Sequence, residues 1–333
     1  MAKIIRVDFD PKGRLANQMV HYLLARILQA SVPGSEIVGC SMPEWRIEHP
    51  DRERDAAEVI TLYGHIIPWR HALSRLRESD DIEIHTKSLA ARLEYFGAYR
   101  DLAREIFPIR PDLQTGFDRE HLVFNIRTGD IYTGMHPSYT LLPLRFYQSL
   151  LDKTGLKPVF VGELHDNDYV AAIRSRFPKA TFISSERPVD DFNILRTSAN
   201  VVLSTSTFSW LATWMSVAAK RIVMPVIGFY NPLDRPDVDL LPVGDRRYRF
   251  YLFPSERFRG TAAEIAEKID GPANARLIRA PRLFRARATL DAYRAGSLPK
   301  GITLWRGISP ALPGLGFGQK PAAIPRGGRR GAD

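Results

Sequence analysis

The sequence predicts an α/β protein of two Rossmann-like domains. Three observations carry that reading. Its 333 residues suffice for two domains. From residue 122 to about 225, short apolar runs alternate with helical segments, the pattern of a doubly wound sheet. The chain also opens with an apolar run, a loop and an amphipathic helix, which is the start of an α/β unit.

Residues 3–9, KIIRVDF, read as the first strand, and the loop DPKGR follows. Residues 15–30 place Leu15, Met19, Tyr22, Leu23 and Ile27 at helical spacing. Between Val32 and Asp118 the pattern is mixed. Pro33, Gly34, Pro43 and Pro50 mark loops, helices are expected over 55–63, 67–76 and 89–107, and several strands there are too weak to place. Regularity returns with the strand LVF, ending near Ile126. Helices are expected over 143–151, with Pro143 at the start, then 165–177, 190–198 and 209–219. Strands are expected over 158–162, 180–184, 201–204 and 221–225, and a last amphipathic helix over 260–269. This divides the chain into an N-terminal α/β domain, 1–118, a Rossmann-like domain, 119–270, and a basic segment, 271–333, whose end, GGRRGAD, is too polar to pack.

Composition narrows the function classes. The balance of 44% hydrophobic and 25% charged residues is that of a globular domain. The single cysteine, Cys40, cannot form an internal disulfide. The opening MAKIIRVDFDPKGR is too charged for a secretory signal and no run of about 18 apolar residues occurs, so a cytoplasmic setting is expected. The net charge of +10 arises entirely after Ile269: residues 271–333 hold ten Arg and two Lys against Asp291 and Asp333. The first 270 residues are balanced, which argues against nucleic acid as a partner of the folded domains.

Three stretches carry chemistry. LVFNIRTGD, residues 122–130, brings Arg127 to the end of a buried strand, where ligands bind in open α/β sheets. A guanidinium fork there suits two phosphate oxygens; equally, Arg127 can pair with Asp130. NVVLSTSTFSWLATWM, residues 200–215, runs from a strand into Ser204, Thr205, Ser206, Thr207 and Ser209 at the start of a helix. Those are more hydroxyls than a helix cap needs, and they suit an anion at a helix N-terminus. Trp210 and Trp214, four residues apart, read as core. KGRLANQ, residues 12–18, offers Gly13 for close approach, Arg14 for phosphate and Asn17 for a sugar hydroxyl. Neither a G-x-G-x-x-G fingerprint nor a P-loop occurs.

Together these stretches resemble the α-1,2-fucosyltransferases of glycosyltransferase family 11, within the fucosyltransferase superfamily. The family's G-x-L-G-N-Q-M, H-I-R-R-G-D and S-T-F-S-W-W correspond here to GRLANQM (13–19), NIRTGD (125–130) and STFSWL (206–211). Asp191 stands fifteen residues before Ser206, where the family has an acidic residue. The resemblance spans roughly residues 3–225. It implies a GT-B-like fold of two facing Rossmann-like domains, the first on the acceptor side. It also implies GDP-fucose as donor, inversion at the anomeric carbon, a glycan acceptor, and no cofactor or required metal. Carried over by position, Arg127 would bind the β-phosphate and stabilise departing GDP. Asp191 would accept from guanine. Ser206, Thr207, Phe208 and Ser209 would line the donor site, and Gly13, Arg14, Asn17 and Asn125 would approach the diphosphate or the sugar.

Asn125, Thr128 and Ala16 depart from the family's His, second Arg and second Gly, which opens two other readings: a transferase for another GDP-sugar, or a silent glycan- or nucleotide-binding relative. For the general base, Asp8, Asp10, Asp130, His136 and Glu163 all lie near expected strand ends, and Asp10, next to the Gly13 loop, is preferred. Asp237 and Asp239 form a D-x-D, in a Pro-rich context unlike a metal site. In the basic segment, six Arg between residues 276 and 294 alternate with apolar residues. That suits peripheral contact with an anionic membrane, or a helix folded back on the domains.

Overall fold

The computed structural model describes residues 2–8, 14–136 and 138–297, which fall into two units. One holds residues 2–8 and 20–89. The other holds 14–19, 90–136 and 138–297. Asp10 and Gly13 lie outside the described residues, as does the end of the basic segment.

The first unit contains strand β1 (Lys3–Val7), most of helix α1 (Leu15–Ser31), β2 (Glu36–Val38), β3 (Cys40–Met42), β4 (Ile47–His49), β5 (Glu58–Leu62), helix α2 (Trp69–Glu78) and β6 (Ile82–Thr86). Its main sheet runs β2-β1-β6-β5, every pair parallel, while β3 and β4 form a separate antiparallel pair. Parallel strands are covered on both faces and read as apolar runs; Ile4, Ile5 and Val7 of β1 are buried accordingly.

One expectation fails here, and one strand goes unread. Residues 55–63 are not a helix: Glu58–Leu62 is a strand paired with β6. Its β-branched Val59, Ile60 and Thr61 lose little rotamer freedom on a pleated sheet. Strand β6 escapes the sequence pattern because Glu83 and His85 interrupt it. Their polarity is satisfied laterally: Arg6 of β1 pairs with Glu83, and His85 Nε2 lies 2.8 Å from Glu83 Oε1.

The second unit opens with α3 (Leu93–Phe96) and α4 (Arg100–Ile106). A single helix over 89–107 does not form. Ala90 takes a positive φ of 40°, Arg92 is extended, and a 3₁₀ turn at Gly97–Tyr99 separates the two pieces. Residues 90–118 belong with this unit, so the division between units falls after Leu89. A physical reason is visible in α4. Arg104 donates to the carbonyls of Met215 (2.8 Å) and Ser216 (3.2 Å), satisfying the C-terminal end of a later helix.

There follow β7 (His121–Ile126), α5 (Gly129–Tyr132), α6 (Leu144–Thr154), β8 (Lys157–Gly162), α7 (Asp168–Arg176), β9 (Thr181–Ile183), α8 (Pro188–Thr197), β10 (Asn200–Val202), α9 (Thr207–Met215), β11 (Arg221–Val226), β12 (Tyr248–Leu252), α10 (Ala262–Asp270), β13 (Arg276–Leu277) and α11 (Pro281–Arg294). The expected elements between residues 122 and 269 are present with end shifts of a few residues; β12, which carries the apolar run FYLF at 250–253, and the two-residue β13 were not among them. The sheet order is β13-β12-β11-β10-β7-β8-β9, parallel except for the β12–β13 pair. Counted from β7, strands β9 to β12 give 3-2-1-4-5-6, the order of nucleotide-binding Rossmann domains.

Aromatic packing holds this sheet. Phe160 stacks on Phe124 (5.0 Å) and on Phe182 (5.4 Å), joining β7, β8 and β9 on one face. Phe124 and Phe160 are fully buried, and each such ring stabilises the fold by about 1.5–3 kcal/mol. Trp210 and Trp214 of α9 are buried and stacked at 5.5 Å, and Trp210 Nε1 donates to Leu240 O at 2.7 Å. They are core residues, as expected. Helix α10 is closed by a capping box between Thr261 and Glu264.

Candidate active site at the switch point of the second sheet

The chain leaves β7 toward β8 and β9 on one side, then returns to β10 on the other. Between β7 and β10 the strand order therefore reverses, and in open α/β sheets ligands bind outside the carboxyl ends of the strands at such a point. The residues that emerge there are 127–130 after β7 and 203–207 after β10.

Arg127 is the first of them. Its side chain is only 12% exposed, and its donors are organised by three neighbours. Nη2 and Nε donate to the two carboxylate oxygens of Asp130, at 2.7 and 3.2 Å, and Nη1 donates to Thr205 O at 3.4 Å. Its Cζ lies 4.6 Å from the ring centre of Tyr139, within cation–π range. Tyr139 in turn stacks on Phe229 at 5.2 Å, and Arg235 lies over Phe229. The pairing with Asp130 that the sequence allowed is thus present, and it holds the guanidinium at the strand end. Burial tends to raise the Asp130 carboxyl, but the Arg127 charge prevails and holds it below the ordinary aspartate value.

Arg14, just before α1, belongs to the same group. It donates to Glu163 Oε1 at 2.5 Å and lies 3.4 Å from Asp130 Oδ1. Gly129 makes room for this arrangement: a Cβ there would stand 2.8 Å from Glu163 Oε2 and 3.2 Å from Arg14 Nη2. Glu163 Oε2 is buried and makes no hydrogen bond with any described residue. The Thr128 hydroxyl donates to Glu163 O at 2.9 Å, tying the ends of β7 and β8 together.

The hydroxyl-rich turn after β10 divides into two uses. Ser206 caps α9, accepting from Phe208 N at 3.2 Å, and Ser209 is turned inward to the carbonyls of Ser204 and Ser206. Thr207 donates to Asn17 Oδ1 at 2.9 Å, which brings the first and third motifs together. Phe208 meets Phe192 edge-on at 5.2 Å. Asn125 is buried and makes internal bonds. It accepts from Ser204 Oγ at 2.6 Å and donates to Val161 O at 3.2 Å, crossing from β10 through β7 to β8. Gly162 allows that crossing: it holds φ at 124°, and a Cβ would meet Ile126 O at 2.3 Å.

Asp191 sits in the first turn of α8, buried and accepting from Ser185 Oγ at 2.6 Å. Burial raises it to about 6. The Ser185 hydrogen bonds oppose the shift, and the charges of Asp190 and Glu163 add to it. Titratable groups displaced in this way concentrate at functional sites.

The structure therefore joins Arg14, Asn17, Arg127, Ser206 and Thr207 in one group, while the hydrogen-bond partner of Asp191 is Ser185. Tyr139 and Ser185 were not singled out from sequence: Tyr139 acts through its ring under Arg127, and Ser185 through a hydrogen bond to Asp191 six residues on. Of the candidate bases, Asp130 is engaged by Arg127 and Glu163 by Arg14, while Asp8 at the end of β1 pairs with Lys87 at 2.8 Å in the first unit. His136 is exposed and faces Tyr139 edge-on. The Asp237 carboxylate is engaged by Arg235, and Asp239 lies 3.5 Å from Arg285.

No protein-family model matches the sequence, and no curated protein matches it. Among solved structures, the chain is similar to a Listeria monocytogenes protein assigned as a UDP-N-acetylglucosamine 2-epimerase. That match has 13% identity and a TM-score of 0.37, and covers 91% of this chain and 100% of the other. A second similarity is to a Streptomyces avermitilis MA-4680 protein assigned to the HAD hydrolase family, with 15% identity and a TM-score of 0.20, covering 48% of this chain and 90% of the other. Likenesses of this strength carry no argument about activity.

Proposed function

We propose that the protein is an inverting glycosyltransferase that transfers fucose from GDP-fucose to a glycan acceptor, such as a growing surface polysaccharide or a lipid-linked oligosaccharide. The observation that carries this reading is the position of Arg127. It stands at the switch point of a 3-2-1-4-5-6 sheet, hydrogen-bonded to Thr205 beside the N-terminus of α9. The three motifs that resemble family 11 fucosyltransferases meet at the same point.

In the reaction, an acceptor hydroxyl attacks the anomeric carbon of fucose from the face opposite the diphosphate. The new C–O bond forms as the bond to GDP breaks, GDP leaves with the electron pair, and a carboxylate takes the acceptor proton. Negative charge builds on the β-phosphate. The Arg127 guanidinium and the first-turn N–H groups of α9 supply fixed positive potential for that charge, so the reading requires no metal. Asp191, as a carboxylate, accepts from the two N–H donors on the Watson–Crick edge of guanine.

The test is release of free nucleotide from a panel of nucleotide sugars, with an acceptor glycan mixture and with EDTA present. Turnover of GDP-fucose above the others is expected. Preferential turnover of another GDP-sugar would keep the site and replace the sugar. Release from a UDP-sugar instead, or dependence on added manganese or magnesium, would overturn the reading.

A further inference from the structure

Apart from the switch point, a second feature lies at the β12–β13 edge of the same sheet. A concavity of about 340 Å³ is lined there by Arg246, Arg249 and Arg279 together with Leu277, over a floor that includes Tyr248 and Phe250. Arg282 reaches the same place, its Nη2 lying 3.5 Å from where a Cβ on Gly244 would stand. None of these four arginines forms an ion pair with a carboxylate among the described residues. Asp245, the acidic residue at the rim, is engaged by Arg247 at 2.7 Å and by Arg100 at 3.1 Å. Leu277 is 46% exposed, and Leu283, next to Arg282, is 68% exposed.

The segment that presents these side chains is fixed. Arg285 of α11 is buried, donates to Leu241 O at 3.1 Å and lies 3.5 Å from Asp239 Oδ1. With Arg285 turned inward, Arg282 and Leu283 are held outward on the same helix.

We infer that this face is a docking surface for an anionic lipid bilayer. Arginines without a carboxylate partner, beside the exposed Leu277 and with the exposed Leu283 on α11, match the two parts of that partner: phosphate headgroups at the surface and acyl chains just beneath it. A soluble polyanion would use the arginines and leave the leucines without a role. Each arginine brought to an anionic bilayer strengthens partitioning about fivefold. The inference does not depend on the reaction proposed above.

The experiment is sedimentation of the full-length protein with vesicles of phosphatidylcholine alone or mixed with phosphatidylglycerol, at low and at physiological salt. The parent is expected to partition at least tenfold more onto the anionic vesicles, and less at higher salt. Arg279→Glu with Arg282→Glu should weaken that partitioning at least about 25-fold, two of the fivefold steps. Leu277→Ser with Leu283→Ser should weaken it about tenfold, with the salt dependence kept. Equal binding to both vesicles, no binding to either, or an arginine pair within twofold of the parent would overturn the proposal. Full retention by the leucine pair would also overturn it, since simple attraction to phosphate would then suffice.

Discussion

Tyr139 lies beneath the Arg127 guanidinium, 4.6 Å from ring centre to Cζ, while Asp130 holds the other side of the fork at 2.7 Å. The charge that the proposed reaction needs is therefore oriented before any ligand arrives. Tyr139 acts by positioning. Losing the ring should cost about 0.5–2 kcal/mol, which is a few-fold to roughly 30-fold in turnover. Tyr139→Phe should stay close to the parent and Tyr139→Ala should show the loss; equal turnover of the two variants would dismiss the ring contact.

Arg127→Ala should lower turnover of GDP-fucose by about 10²–10³-fold, the effect of removing one oxyanion donor worth about 2.7–4 kcal/mol. The fold should survive, because Asp130 keeps Arg14 at 3.4 Å as a neighbouring charge. Turnover beside a melting curve decides it. Activity within a few-fold of the parent would remove Arg127 from the mechanism.

Asp191 yields a pH prediction. Its folded value is raised to about 6, chiefly by burial, above the ordinary aspartate value of 3.8. A raised carboxylate favours the fold while protonated, and that contribution is lost as pH rises through about 6. Asp191→Asn should therefore melt higher than the parent at pH 7.5, with the difference closing as pH falls toward 4. GDP affinity of the parent should drop below pH 6, since guanine needs the ionised carboxylate. The Asn variant should lose the preference for GDP over UDP, which is roughly tenfold or more from one charged hydrogen bond of about 1.5–3 kcal/mol. Calorimetry across that pH range tests both statements.

Gly162→Ala should destabilise the second unit. Its φ of 124° alone costs a non-glycine residue about 1–3 kcal/mol, and the added Cβ meets Ile126 O at 2.3 Å. The expected readout is a lower melting temperature. A melting curve coincident with that of the parent would show that the β7–β8 approach yields easily.

Ser204→Ala should cost about 1–3 kcal/mol by leaving the Asn125 carboxamide oxygen buried without its 2.6 Å donor. Denaturant midpoints measure this. Restoring stability with the additional change Asn125→Leu would show that the Asn125–Ser204 pair is structural.

The strand-and-helix alternation of the second unit was legible because parallel strands covered on both faces must be apolar along their length. LVF and PVFVG carry that mark on their own. So was the chemistry of the three motifs: a guanidinium after a strand and hydroxyls before a helix declare their capacities wherever the fold places them. Strand β6 stayed hidden because Glu83 is neutralised by Arg6, a residue 77 positions away. Strand β5 read as a helix because five residues are too few to separate the two periods. The break in 89–107 depends on a positive φ at Ala90 that nothing in the local sequence requires.

Tertiary structure alone decided which groups meet. Residue types establish that Arg127 is charged and that Asn17 can accept. Only the reversal of strand order between β7 and β10 puts Arg127 against Thr205, and only the return of residues 14–19 to the second unit puts Asn17 against Thr207. The physical reason is range. Periodicity, capping and hydropathy act over a few residues and are written locally, whereas a site is closed by hydrogen bonds between residues 78 and 190 positions apart, whose geometry exists only after the sheet has formed.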